Sequence, residues 1–524
     1  MRNLDNNRIV FIIPCSDSHR TAEENLGIGY LTSILRKNGY DVTVVDAWLA
    51  NLSPKSAADI VSALEKPLFL GFSCYYTNCK QAVAILKYIR KLWPEIQSIV
   101  GGYSPTFDPD FFLHKGFDMV FKGEAEQYII NVARYFKGEL PVECLSNVAY
   151  LQEGRIINNF MTPGASSLDL LPYPSRDTTD IAIRRKTPIH ILTSRGCYGE
   201  CSFCSINAFN KTTGNSKWRE RSLDDIVEEL HSLYSQGIRH FKFIDDSFIE
   251  PPRDSSWCKE FLHRLRERDI NGLRIRGSIR ADRVSDDLMC VLKEIGFYSF
   301  SCGIENMSQT ALSRMGKTAS VDSNIKALDI LKKYDMYVQA GLILFDPETS
   351  LEELEQNYAV LEKYPWIVCK GVFTEMYAAK GTKFTEGLLQ ADGINLGNSS
   401  YEIKDHQVRF CHQALKAWHT YHQELYDKLI DPLSAPKAIS AQNMQAFFRE
   451  YSKVRRQDLV FMKEVLSEAR KTERIDPTKL ASDRLQETKA FYNDIADNTD
   501  KLYKQAELIF DAKSNPFLKD STYD

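Results

Sequence analysis

Short apolar runs alternate with segments of helical period along the first 150 residues. The runs that we predict as strands are residues 8–13, 41–46, 68–73, 98–102 and 118–123. Strands and helices that alternate at this spacing are typical of parallel βαβ units, so the pattern predicts a doubly wound sheet with helices on both faces. Ligands of such sheets bind at the carboxyl ends of the strands.

A second alternating series follows a stretch that has no sustained period. Residues 161–180 are rich in Pro, Ser and Asp and are predicted to link two domains. The six further candidate strands are residues 188–194, 239–245, 273–279, 297–304, 337–344 and 370–377. Six such units predict a partial (β/α)6 barrel of the TIM type, with its chemistry at the carboxyl ends of the strands.

The strand pattern ends near Asn395, and the remaining chain is charged, rich in Tyr and helix-periodic. We therefore predict an α/β protein with three domains. They are a Rossmann-like domain at 1–150, a barrel at 187–390 after a linker at 151–186, and a helical domain at 391–524.

Composition narrows the classes of function. The 524 residues carry a net charge of −4, which gives no global positive field to attract nucleic acid. No apolar run reaches the length of about 18 residues that a membrane span needs, and the first residues lack a basic segment followed by a signal-length apolar run. We expect a cytosolic protein that binds neither nucleic acid nor spans a membrane.

Three of the twelve cysteines form a cluster of their own. Cys197, Cys201 and Cys204 have CxxxCxxC spacing directly after the first predicted barrel strand. A closed zinc site is one interpretation, but it needs a fourth protein ligand, and the nearest histidines, His190 and His231, are not at a zinc-finger spacing. Three thiolates favour an iron–sulfur cluster that leaves one iron open to a small molecule.

This segment resembles the radical S-adenosylmethionine (radical SAM) superfamily. The resemblance implies that the three cysteines hold a [4Fe–4S] cluster whose fourth iron binds the amino and carboxylate groups of S-adenosylmethionine. It also implies reductive cleavage of that molecule to a 5′-deoxyadenosyl radical, in a site that excludes water. Phe203, just before the last cysteine, fits the family pattern of a loop that lies against the adenine.

Several residues at the ends of later strands also resemble the family's S-adenosylmethionine site. Asp245 and Asp246 correspond to groups that hold the methionine amine, Arg280 to a carboxylate partner, and Glu305 to an acid that binds the ribose or the amine. Taken one at a time, these residues could instead cap a helix, form an ordinary salt bridge or end a strand in solvent. Together on one barrel rim they favour a site.

The segment GLILFDPE resembles the family's GxIxGxxE pattern. It supplies Gly341, Ile343 and Glu348, but Phe345 stands where the pattern has its second glycine. This departure weakens a detailed adenine contact at that point.

The first domain resembles the cobalamin-binding domain that precedes the radical core in one branch of the superfamily. The family pattern is Asp-x-His-x-x-Gly, then Ser-x-Leu, then Gly-Gly. The residues that we expect near cobalamin are His19, Ser73, Tyr75, Gly101 and Gly102. The match is partial, because Ala22 replaces the Gly and Tyr75 the Leu. His19 is therefore either a cobalt ligand or a polar loop residue, and a domain that has lost its cofactor is a further possibility.

The resemblance implies a class B type, cobalamin-dependent radical SAM methyltransferase. It would methylate an unactivated carbon or phosphorus of a small molecule or natural-product intermediate, with an electron donor such as flavodoxin or ferredoxin. The alternatives are a radical cyclisation, oxidation or rearrangement without methyl transfer, and a cobalamin- or metal-sensing binding protein. A methylthiotransferase is disfavoured, because Cys15, Cys74 and Cys79 lack the spacing of a second cluster.

Overall fold

The computed structural model describes residues 6–16, 22–392, 401–434 and 438–508. In these ranges the strands are β1 (Arg8–Ile13), β2 (Asp41–Asp46), β3 (Phe69–Ser73), β4 (Gln97–Gly101), β5 (Met119–Phe121), β6 (Val148–Gln152), β7 (Arg155–Asn158), β8 (Ile189–Ile191), β9 (Ser194–Gly196), β10 (Trp218–Glu220), β11 (His240–Phe243), β12 (Arg274–Arg280), β13 (Phe297–Glu305) and β14 (Tyr337–Leu342).

The helices in the described ranges alternate with these strands and then follow them. They are α1 (Leu26–Lys37), α2 (Pro54–Ser62), α3 (Cys79–Leu92), α4 (Tyr103–Phe107), α5 (Pro109–His114), α6 (Ile129–Lys137), α7 (Thr179–Arg184), α8 (Ser205–Thr213), α9 (Leu223–Ser235), α10 (Ser255–Glu267), α11 (Asp286–Ile295), α12 (Gln309–Arg314), α13 (Val321–Lys333), α14 (Leu351–Lys363), α15 (Lys383–Asp392), α16 (His406–Ser434), α17 (Ala441–Ala469) and α18 (Pro477–Gln505).

The described residues divide into two compact units. One contains residues 6–196 and 206–229, and the other contains residues 197–205 and 230–508. The first unit holds a seven-stranded sheet in the order β2-β1-β3-β4-β5-β6-β7, of which β1 to β5 are parallel. The order 2-1-3-4-5 is that of a doubly wound sheet, and it confirms the predicted fold class.

The apolar runs of the first unit became strands because both faces of a doubly wound sheet are covered. In β1, five of the six residues are buried, and Ile9 and Phe11 join a core cluster that also contains Phe69, Ile99 and Phe136. A parallel strand that is buried on both sides has a continuous apolar sequence rather than an alternating one. All five predicted strands of this sheet therefore appear where they were expected.

A hairpin at the end of this sheet was not predicted. β6 and β7 pair antiparallel to each other and β6 pairs antiparallel to β5. Glu153 and Gly154 form the turn with φ angles of 51° and 75°, values that fit a tight hairpin turn. The hairpin crosses residue 150, and α7 also lies within the predicted linker, so that part of the chain is structured. The predicted domain limits stay predictions.

The second unit contains four neighbouring parallel strands, β11 to β14, in chain order. They correspond to the second to fifth predicted barrel strands. The first predicted strand, 188–194, is interrupted and gives the two short strands β8 and β9. Each parallel crossover carries at least one helix, as the partial-barrel prediction requires.

The prediction of a sixth strand at 370–377 is wrong, because no continuous strand forms there. Only two isolated bridges form in this region, Gln339 with Val368 and Phe345 with Glu375. The physical reason is a turn at Gly371, whose φ of 66° lies outside the range of a strand. The sequence signal came from apolar residues that are buried here without a ladder of backbone hydrogen bonds.

Three long helices, α16, α17 and α18, confirm the predicted helical C-terminal region. Trp418 of α16 is fully buried and stacks on Phe461 of α17, with ring centroids 4.5 Å apart. The Trp418 indole and the Tyr426 hydroxyl both donate to Asp458 of α17, at 2.9 and 2.6 Å. In the described ranges, we find no helix whose length and hydropathy would let it cross a lipid bilayer.

Candidate active site

The three clustered cysteines lie on one loop, residues 197–205, whose backbone is held at several points. The N–H of Ser202 donates to the carbonyl of Met315 at 2.8 Å, and the carbonyl of Ser202 accepts from the N–H of Phe384 at 3.0 Å. A side chain on Gly316 would come within 3.2 Å of the carbonyl oxygen of Glu200. The loop is therefore positioned by backbone contacts that do not depend on the thiols.

The thiol of Cys197 lies in a polar but half-buried environment. It donates to Oε1 of Glu250 at 3.2 Å and accepts from the N–H of Gly199 at 3.3 Å. Nη1 of Arg280 lies 3.9 Å from the sulfur. Burial, together with the nearby Glu250 carboxylate, raises the pKa of Cys197 to about 12. A thiolate at this position therefore needs a strong positive partner such as a metal ion.

Arg280 lies at the end of β12 and links several groups. Its guanidinium pairs with Asp282 at 2.7 Å and donates to the Thr318 hydroxyl at 2.6 Å. It also lies 3.4 Å from Oε1 of Glu250, whose side chain is fully buried. The contacts with Glu250 and with Cys197 place Arg280 at the cysteine loop, as the sequence predicted.

Glu305 ends β13 with an unusual backbone conformation. Its φ is 62°, a value that non-glycine residues rarely adopt. Its carboxylate pairs with Lys317 at 3.0 Å, and the Lys317 side chain is only 7% exposed. A side chain on Gly341, on the neighbouring strand β14, would stand 3.4 Å from Oε2 of Glu305. The structure thus brings Glu305 and Gly341 together at the carboxyl ends of two adjacent strands.

Phe203 and Ile343 belong to one apolar patch. Both pack against a small buried cluster formed by Ala311, Met315 and Met376. Phe203 comes from the cysteine loop and Ile343 from the end of β14. The fold thus brings these two residues to one apolar surface, and their contact with the adenine stays a prediction.

The two aspartates at the end of β11 have different surroundings. Asp245 is buried, and its carboxylate pairs with Arg253 at 3.4 Å, both side chains being fully inaccessible to solvent. Arg253 in turn stacks on Trp257, 4.3 Å from the ring centroid. Asp246 is exposed. Asp245 thus forms an internal salt bridge, a structural role other than the helix cap that was the alternative to ligand binding, and its role in holding a ligand stays a prediction.

In the first unit, the carboxyl ends of β3 and β4 approach each other closely. The N–H of Cys74 donates to the carbonyl of Gly101 at 2.8 Å. Gly102 has a φ of 112°, and a side chain there would lie 2.5 Å from the carbonyl oxygen of Cys74. Only glycine fits this position.

Asparagine side chains, which the sequence analysis did not single out, hold the loops around this edge. Asn25 caps α1 and donates to the Ser73 hydroxyl at 3.1 Å. Asn78 is fully buried, accepts from the N–H of Tyr75 and donates to the carbonyl of Pro14. The Tyr75 ring remains 47% exposed. His19, the possible cobalt ligand, lies outside the described residues.

Comparisons with known proteins identify both parts of the chain. Residues 19–133 match the B12 binding domain, and residues 191–360 match the Radical SAM superfamily. This chain belongs to the cobalamin-binding radical SAM enzymes.

Similar proteins agree with this assignment. An uncharacterized methyltransferase of Pyrococcus horikoshii is 25% identical over 68% of this chain and 78% of its own length. An anaerobic magnesium-protoporphyrin IX monomethyl ester cyclase of Rubrivivax gelatinosus is 26% identical over 77% of each chain. The solved structure of the cobalamin-dependent S-adenosylmethionine radical enzyme OxsB covers 98% of this chain and 82% of its own, with a TM-score of 0.72 and 18% identity. That structural likeness shows the fold.

The cofactors of this radical SAM enzyme are a [4Fe–4S] cluster, S-adenosylmethionine and cobalamin. The donor set fits the cluster. Three cysteines on one loop supply one thiolate for each of three irons, which leaves the fourth iron open to a small molecule. Ser73, Tyr75, Gly101 and Gly102 lie at the carboxyl ends of β3 and β4, the edge at which doubly wound sheets bind ligands.

Two residues of this radical SAM enzyme's site were missed by sequence reasoning. Glu250 and Lys317 both contact residues that we had selected, yet neither belongs to a motif that we recognised. Glu250 lies seven residues beyond β11 in an acidic loop, and its burial beside Cys197 depends on the fold. The sequence FIDDSFIEPPRD contains four acids, and nothing in it distinguishes the one that is buried at the cysteine loop.

Proposed function

We propose that this radical SAM enzyme transfers a methyl group to an unactivated carbon or phosphorus of a small-molecule or natural-product intermediate. The observation that carries the proposal is the presence of a B12 binding domain and a radical SAM domain on one chain. The Pyrococcus horikoshii relative, a methyltransferase by name, supports the same activity. The proposed electron donor is a small redox protein such as flavodoxin or ferredoxin.

The second unit supplies the residues for the radical step. We assign Cys197, Cys201 and Cys204 as ligands of the cluster. When bound, the cluster and S-adenosylmethionine supply an electron and a 5′-deoxyadenosyl radical that can abstract hydrogen from the substrate. The N–H of Gly199 stabilises negative charge on the Cys197 sulfur, since it already donates to that atom.

The remaining residues of this site orient S-adenosylmethionine. The guanidinium of Arg280 can bind the methionine carboxylate through Nη1, which faces Cys197, while Nε and Nη2 are held by Asp282. Phe203 and Ile343 provide an apolar surface for the adenine and keep water from it. Glu305, held by Lys317, presents carboxylate oxygens beside Gly341, where hydroxyl or amine donors can bind. Asp246 is the more accessible of the two aspartates proposed for the amine.

The first unit provides the cobalamin site in this proposal. Cobalamin, when bound, supplies the methyl group. Gly101 and Gly102 are proposed to border the ligand at the strand ends, the Ser73 hydroxyl is held by Asn25, and the exposed Tyr75 ring can cover one side of the ligand. His19 is proposed to lie near the cofactor.

A second candidate function is a radical cyclisation or oxidation without methyl transfer. It is favoured by the similarity to the Rubrivivax gelatinosus cyclase, which covers more of this chain than the methyltransferase does. Both functions use the same cluster and S-adenosylmethionine residues. They differ in that only methyl transfer consumes a second S-adenosylmethionine, which donates the methyl group and becomes S-adenosylhomocysteine.

The products of S-adenosylmethionine distinguish the two functions. Anaerobically reconstituted protein with reductant and substrate should release S-adenosylhomocysteine and 5′-deoxyadenosine in equal amounts if it methylates. Deoxyadenosine without S-adenosylhomocysteine would contradict methyl transfer and support the second function. Cys201→Ala should abolish both products. Reduced wild-type protein that holds cobalamin yet never cleaves S-adenosylmethionine would instead support a sensing role.

A further inference from the structure

A large cavity lies at the edge of the second unit opposite the proposed active site. Its volume is about 840 Å³, and its lining includes the first residues of three barrel strands, Arg274 of β12, Phe297 of β13 and Tyr337 of β14. The cysteine loop and Glu305 are associated with the carboxyl ends of these strands, so the cavity is at their amino ends. Its volume lies within the range of small-molecule sites, about 300–1,000 Å³.

The walls of the cavity are aromatic. They include Tyr298, Tyr337, Trp366 and Phe448, and the rings of Tyr337 and Phe448 meet edge to face with centroids 6.3 Å apart. Aromatic walls of this kind accept flat apolar molecules, because ring faces and edges stack favourably. The occupant that these walls favour is therefore a planar one.

The charges around the cavity favour an anion. Four of its lining residues are cationic, Arg274, Lys293, Lys332 and Arg449, against one acid, Asp335. Arg449 forms no ion pair with the residues that the structure describes. The excess of cations along an aromatic wall therefore selects a flat ligand that carries an anionic group.

The first turn of α17 adds to this preference. Ala441, the first residue of the helix, lines the cavity, and Ser440 caps the helix by accepting from the N–H of Asn443 at 3.2 Å. The N-terminus of a 29-residue helix carries a partial positive charge that stabilises anions. This partial charge adds to the charge of the four cationic side chains.

We propose that this cavity is a second small-molecule site, which binds a planar aromatic anion of about nucleotide size. Nothing in the radical reaction requires such a site, so its ligand is a compound other than S-adenosylmethionine or cobalamin. The ring lies against Tyr337, Trp366 and Phe448. The anionic group lies among the four cations.

Equilibrium dialysis with 1-naphthyl phosphate tests the proposal, with 1-naphthol as the uncharged comparison. The protein is used anaerobically and saturated with S-adenosylmethionine and cobalamin, so that their sites are occupied. We expect one naphthyl phosphate bound per chain and at least about tenfold weaker binding of naphthol, since a charge-assisted hydrogen bond contributes about 1.5–3 kcal/mol.

Two variants and one control complete the test. Arg449→Gln should weaken naphthyl phosphate binding about threefold to tenfold, and Phe448→Ala, which removes one aromatic wall, about threefold or more. Arg456→Gln, an exposed arginine of the same helix outside the cavity, should leave binding unchanged. Absence of saturable binding, equal affinity for naphthol, or wild-type affinity in both cavity variants would overturn the proposal.

Discussion

Adjacent glycines at the end of β4 have different physical roles. A methyl group on Gly102 would lie 2.5 Å from the carbonyl oxygen of Cys74, in a residue whose φ is 112°. A methyl group on Gly101 would meet its nearest atom, Cβ of Phe121, at 3.6 Å, which is an ordinary contact. Gly102 is restricted by backbone geometry, whereas Gly101 has room for a small side chain.

Gly102→Ala should therefore destabilise the first unit by at least about 2 kcal/mol, because it combines a strained φ with a backbone clash. Gly101→Ala is the matched control and should cost no more than about 1 kcal/mol. Urea unfolding followed by circular dichroism measures both. Equal midpoints for the two variants would contradict the assignment of the close approach to Gly102.

The buried carboxylate of Glu250 is expected to influence the cluster that Cys197 helps to hold. Its Oε1 contacts the Cys197 sulfur, and its Oε2 has no hydrogen-bond partner among the described residues. A negative charge beside the cluster disfavours the reduced, more negative state. The nearby guanidinium of Arg280 offsets only part of this effect.

Glu250→Gln should shift the midpoint potential of the cluster to more positive values. The expected shift is on the order of 50 mV, or about 1 kcal/mol for one electron. Redox titration followed by electron paramagnetic resonance measures it without substrate. Glu260→Gln, an exposed glutamate on α10, is the control and should leave the potential unchanged. A shift to more negative values in Glu250→Gln would contradict the electrostatic account.

At the scale of elements, burial determined which parts of the fold could be predicted. Strands such as β1 are continuous apolar runs because they lie between two helical layers, and that pattern is visible in the sequence. The hairpin of β6 and β7 is half exposed at the sheet edge, with residues 151–152 outside the core, so it has no clear period. The turn at Gly371 was not detectable either, because apolar residues surround it in the sequence.

Helices α16 and α17 are joined by a buried carboxylate whose ionisation opposes folding. Burial raises the pKa of Asp458 to about 6, although Trp418 and Tyr426 donate to it. An acid whose pKa is higher in the folded state contributes most to stability below its unfolded pKa, and this contribution is lost as pH rises through the folded value. The relevant window runs from about pH 4 to pH 6.

Asp458→Asn keeps the acceptor oxygen for Trp418 and Tyr426 but cannot ionise. The stability of the wild type relative to this variant should fall as pH rises from about 4 to 6, by up to roughly 3 kcal/mol, and then remain constant. Urea unfolding at each pH measures the difference. Asp500→Asn, an exposed aspartate of α18, should show no such trend. A difference that is independent of pH would contradict the raised pKa.

At the scale of the whole molecule, site residues that are close together in the sequence could be predicted, and residues that only the fold brings to the site could not. Cys197, Cys201 and Cys204 lie on one nine-residue loop, so their spacing is visible in the sequence. Phe203 and Ile343 were selected only through family patterns, and the fold packs both against one buried cluster. Glu250 and Lys317 reach the site only through tertiary contacts.

The residues assigned to the cluster and those assigned to cobalamin belong to different units, so one cofactor should be removable without the other. Cys201→Ala should lose most of its iron while it retains cobalamin, because the residues proposed for cobalamin belong to the first unit and the three thiols to the second. Metal analysis and the visible absorbance of cobalamin measure both contents on the same anaerobic sample. Cys290→Ala, an exposed cysteine of α11, should keep both cofactors. Iron that remains bound in Cys201→Ala would contradict ligation by this loop. Parallel loss of cobalamin would contradict independent sites, since it would show that cobalamin binding depends on the cluster.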